Sequence, residues 1–95
     1  MHVLAARFEL RLPQSHSLKD KRAIIKPILE GARHRYHVAA SEVDHHDSWQ
    51  RSALGFAAVA SSAAHVQEIV DSVDRFVWSF PEVEVLDVER SWADA

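Results

Sequence analysis

The hydrophobic period of this chain changes four times, and at three of the changes a serine cap or a proline marks the end of one kind of backbone and the start of another. Residues 2–12 alternate: His2, Leu4, Ala6, Phe8, Leu10 and Leu12 share one face, and Val3, Ala5, Arg7, Glu9 and Arg11 the other. Such a period of two is that of a half-buried strand. Pro13 removes a ladder donor and ends it. The Ser17 hydroxyl can then cap a helix, with Asp20 in the capping-box position. Leu18, Ile25, Ile28, Leu29 and Ala32 recur at helical spacing, while Pro27 predicts a kink. From Tyr36 the helical period stops. Strands are predicted at about 37–44 and 50–60, joined by the polar run Asp44-His45-His46-Asp47-Ser48. Ser61-Ser62 can cap a second helix built on Val66, Ile69, Val70, Val73, Phe76, Val77 and Phe80. Pro81 stops that helix, and residues 82–92 return to strand.

The order is β-α-β-β-α-β, and it predicts an α+β, ferredoxin-like fold: a four-stranded antiparallel sheet with two helices on one face. At 95 residues the chain holds one such domain, covering 1–95. An apolar content of 47% with a net charge of −3 excludes a disordered chain. The longest apolar run, Ala53 to Ala60, is far too short to cross a bilayer, which needs roughly 20 residues. No leader pattern opens the sequence, and a cytoplasmic protein without membrane attachment is expected. Zero cysteines exclude disulfides, thiol catalysis and cysteine-based metal sites.

Charge divides along the chain. Residues 1–51 carry nine basic groups against six acids, and residues 52–95 carry two against eight. Lys19, Arg22, Lys26 and Arg33, with Glu30, fall within roughly 80° of arc at about 100° per residue, so four cations share one exposed stripe of the first helix. The capped helix start adds free N–H groups and the positive end of the helix dipole, a combination suited to anions. The same turn also reads as an ordinary solvated charged surface.

Two further segments carry chemistry. Glu42 to Asp47 concentrates carboxylates and imidazoles, but adjacent strand residues point to opposite faces and no His-x-His spacing occurs. A polar loop without metal is the expectation. In Asp47-Ser48-Trp49-Gln50-Arg51 the indole either anchors the loop or offers a flat stacking surface. Neither a nucleophile elbow nor a Gly-rich phosphate loop is present, and the chain has only Gly31 and Gly55, so neither enzymatic activity nor a cofactor is expected.

Several segments resemble those of the YlxP-like bacterial family of unknown function: Ser17-Leu18-Lys19-Asp20-Lys21-Arg22-Ala23, Tyr36 to Asp44, Asp47 to Arg51 leading to Leu54-Gly55, Ser79 to Glu84, and Trp92. The likeness runs through nearly the whole chain in order. His37 stands where that family usually has Asn. The resemblance implies a small ferredoxin-like domain whose gene neighbours serve transcription, translation initiation and ribosome maturation.

A non-catalytic accessory protein contacting ribosomal RNA or a ribosomal particle is therefore expected. Lys19, Lys21, Arg22, Lys26, Arg33 and Arg51 would meet phosphates, and Trp49 and Gln50 would supply stacking and hydrogen bonding. The alternative is a homodimeric protein-interaction module that binds no nucleic acid, with the open sheet face as one possible contact. A small-ligand site on that face is a third reading.

Overall fold

The computed structural model describes residues 1–93. Its elements follow the expected order: β1 (His2–Arg11), α1 (Leu18–Tyr36), β2 (Ala39–Asp44), β3 (Arg51–Ala60), α2 (Ala63–Trp78) and β4 (Glu84–Trp92). The strands form one antiparallel sheet in the order β2-β3-β1-β4, which is the ferredoxin-like arrangement. No described helix is long and apolar enough to cross a membrane.

The period-two alternation of β1 has a direct outcome. Leu4, Ala6, Phe8 and Leu10 are buried under the helices, with Leu54, Phe56 and Ala58 of β3 beside them. Phe8 and Phe56 meet edge to face at 5.6 Å. From above, α1 contributes Ile25, Ile28 and Ala32, and α2 contributes Val66, Val70, Val73 and Val77. Each of these larger side chains contributes about 1.5–3 kcal/mol on leaving water.

The helix ends form as their residues dictate. Ser17 Oγ accepts from the Asp20 amide at 3.0 Å, and Asp20 reaches past the cap to accept from the His16 amide at 2.9 Å. Ser62 caps α2 in the same way, accepting from the His65 amide. Pro27 lies inside α1 without ending it. The carbonyl it leaves unpaired belongs to Ala23, on the exposed side, where solvent can replace the lost bond. His37 ends α1 in the left-handed region at φ 55°, a position that favours Gly or Asn.

Two register shifts shape the sheet edges, one in β4 opposite Glu9/Leu10 and one in β2 between Glu42 and Asp44. The basic helix α1 packs beside edge strand β2, whereas Glu84, Asp87 and Glu89 occupy the opposite edge strand, β4. The charge division along the chain thus becomes a division in space.

Candidate nucleic-acid interface

The α1 stripe forms as the helical arc predicts. Lys19, Arg22, Lys26 and Arg33 are all exposed. A shallow groove of about 310 Å³ is lined by Arg22, Lys26, Arg33 and Glu30, with Ile25 and Leu29 between them. Among the described residues Lys19 and Arg22 make no ion pair. Lys26 lies 3.9 Å from Glu30, one turn on, an exposed pairing of small energy. Arg33 is partly committed, since its guanidinium donates to the Ala40 carbonyl of β2 and ties the helix to the sheet edge.

Lys21 is a correction to the sequence-based set. It is 2% exposed, and its ammonium donates to the carbonyls of His45 at 2.7 Å and His46 at 3.2 Å. A longer contact reaches the Arg51 carbonyl, and the Glu42 carboxylate lies at 3.0 Å. Glu42 in turn accepts from the buried Ser52 hydroxyl at 2.7 Å. A buried ammonium needs such a shell, because an unpartnered one is strongly disfavoured. Lys21 is unavailable to phosphate; it pins the β2–β3 connection to the first turn of α1.

Gln50 is also committed within the fold. Its amide donates to the Ser15 carbonyl at 3.1 Å and approaches the Pro13 carbonyl at 3.4 Å, holding the β1–α1 loop. Arg51 departs from the stripe for a topological reason. It sits opposite Arg11 in the β1–β3 register, on the sheet face away from the helices, and pairs with Glu9 at 3.1 Å. Trp49 does not anchor the loop: it is 56% exposed. Lys21 and Gln50 therefore tie the loop to the start of α1 and to the β1–α1 connection, while its indole stays open to solvent.

A cluster on the open sheet face escaped the sequence reading. Glu9 accepts from Arg7 through Oε1 at 2.7 Å and from Arg51 through Oε2 at 3.1 Å, and His45 Nε2 lies 3.0 Å from the same Oε2. Arg7 reaches on to Asp44 at 3.2 Å. Burial would raise the Glu9 carboxyl, but the hydrogen bonds from Arg7, His45 and Arg51 outweigh it and hold the group below its ordinary range. The Asp44 carboxyl is lowered by the His45 amide first and by Arg7 second. Strand alternation placed Arg7 and Glu9 on one face; their partners depend on cross-strand register, which the alternation does not contain.

The remaining candidates do not converge. His45 turns to Glu9, and no group of three or more His, Asp or Glu among the described residues is gathered so as to hold a metal ion. The open sheet face presents Ala5, Gly55 and Ala57 along its middle strands, its His45 imidazole is held by Glu9, and no Phe, Tyr or Trp of the described strands shares the register of that face, so it lacks the stacking platform of sheet-based RNA readers.

Comparison with known proteins agrees with this architecture. The fold is similar to that of a de novo designed ferredoxin-fold protein solved by solution NMR, with a TM-score of 0.53 and 9% identity over 100% of this chain and 88% of that one. In sequence the chain is 37% identical over 87 residues to the uncharacterized protein YlxP of Bacillus subtilis (strain 168), covering 92% of this chain and 95% of that protein. The family model described as a protein of unknown function, DUF503, matches residues 3–90, and the chain belongs to that family.

Proposed function

We propose that the protein is a non-catalytic accessory factor that contacts ribosomal RNA through α1 and the Trp49 loop. The observation that carries this reading is the exposed row Lys19, Arg22, Lys26 and Arg33, together with an exposed indole on the loop that Lys21 ties to the start of α1. Lysine and arginine at successive helical turns match a phosphate backbone, and an exposed indole adds stacking of about 1–3 kcal/mol on an unpaired base. The contact is local. The net charge of −3 and the acidic β4 edge oppose adhesion to nucleic acid over the whole surface.

The test is binding to purified ribosomal subunits across a salt series. Three or four phosphate contacts predict that log K falls with log salt at a slope of about −2 to −4. Replacing Trp49 with Ala should weaken binding about tenfold while leaving that slope unchanged, because stacking releases no counterions. A salt-independent association, or one indifferent to both Trp49 and the stripe, would overturn the reading.

A further inference from the structure

The two edges of the sheet are not equivalent. Strand β2 is short, and its Ala40 carbonyl is taken by the Arg33 guanidinium of α1. Strand β4 is bonded to β1 along one side, and no strand lies along the other. The geometry points to β4 as a docking edge for an extended basic segment of a partner protein, which adds a fifth strand to the four-stranded sheet. This goes beyond the reading of α1, which packs at the opposite edge.

The register fixes which groups β4 offers. The Ala93 amide donates to the Val3 carbonyl at 3.0 Å. In an antiparallel ladder alternate residues bond to the same neighbour, so Ser91, Glu89 and Asp87 also turn their backbone groups to β1. Val88, Arg90 and Trp92 therefore turn their amides and carbonyls outward, along a stretch whose pairing with β1 runs without a shift. Side chains alternate across the same strand. Asp87, Glu89 and Ser91 stand on the open face, in register with Glu9, Arg7 and Ala5. Val88, Arg90 and Trp92 stand on the helix side, in register with Phe8, Ala6 and Leu4.

Charge decides the occupant. Asp87 and Glu89 are exposed, and Arg7, the cation in register with Glu89, is engaged by Glu9 and Asp44 instead. On the helix side the Arg90 guanidinium is turned back to Asp71 and Asp74 of α2. The free charge along the edge is thus negative. A second copy of β4, added antiparallel to continue the sheet, sets the same acids side by side on one face, which is unfavourable. A segment that alternates Lys or Arg with Val or Ile meets both faces. Its cations oppose Asp87 and Glu89, and its apolar side chains cover Val88, the Arg90 stem and Trp92, which is 46% exposed. Those apolar residues are also the ones whose amides and carbonyls bond to β4.

The probe is a short synthetic peptide of alternating lysine and valine, titrated at low salt into the isotope-labelled protein and followed by amide NMR. The Val88, Arg90 and Trp92 amides should shift and exchange more slowly, while those of β2 stay unchanged. N-methylation of the valines keeps every charge but removes the donors that face β4, and should weaken binding about tenfold or more. Asp87→Lys combined with Glu89→Lys, at two exposed positions, should weaken it as much through repulsion. An N-methylated peptide that binds equally well shows attraction by charge alone and overturns the proposal. A titration in which no amide of β4 responds, or in which the response lies along β2, overturns it as well.

Discussion

At the scale of single residues, two positions make measurable demands on the chain. His37 adopts φ 55° with no side-chain hydrogen bond among those described, and a left-handed non-glycine residue costs about 1–2 kcal/mol. His37→Gly should therefore raise stability by about 0.5–1 kcal/mol, read from the urea midpoint, once the added freedom of the unfolded chain is offset. Asn at this point meets the same backbone requirement. Glu9 makes the other demand. Its folded carboxyl lies below its ordinary value of 4.5, so the unfolded chain takes up the proton first as pH falls. Its contribution to stability is complete above about pH 4.5 and is lost as pH drops through the lower folded value. Unfolding midpoints measured from about pH 7 to pH 3 should fall more steeply for the natural chain than for Glu9→Gln. Parallel curves would remove Glu9 from the acid response.

At the scale of elements, the connection between β2 and β3 is held by α1 more than by its own turn. One ammonium on Lys21 serves the His45 and His46 carbonyls and the Glu42 carboxylate. Lys21→Met keeps the length of the stem but leaves Glu42 charged beside the core with the Ser52 hydroxyl and no cation as partner. It should cost about 3–5 kcal/mol in chemical denaturation. Pairing it with Glu42→Leu should recover part of that loss, since the uncompensated charge is gone. A loss below about 1 kcal/mol for the single variant would mean that the loop is secured elsewhere. Elements were also what the sequence expressed best. Alternation, two serine caps and two prolines located all six to within about two residues, because each depends on neighbours in the chain. Lys21 was legible too, by angle: at about 100° per residue it falls with Ile25, Ile28 and Ala32 and not with the stripe. Grouping it by charge concealed that. Gln50 and Arg51 were different. Their partners, Ser15 and Glu9, lie 35 and 42 residues away, and only the folded sheet brings them together.

At the scale of the whole molecule, the sheet separates three surfaces. Basic α1 and the Trp49 loop lie by the β2 edge, the acids of β4 at the opposite edge, and the small-residue face beneath. This separation makes the effect of the stripe testable without disturbing the core, since Lys19, Arg22 and Lys26 are exposed and support no other described element. The triple reversal Lys19→Glu, Arg22→Glu, Lys26→Glu should fold with a thermal midpoint close to the natural one. The most direct measurement is sedimentation of tagged protein from cell lysate through a sucrose gradient at low and moderate salt. The natural chain should travel with one ribosomal subunit at low salt and leave it as salt rises, and the triple reversal should stay at the top of the gradient. A natural chain that stays at the top in both salts, or a triple reversal that still travels with the subunit, would contradict the account.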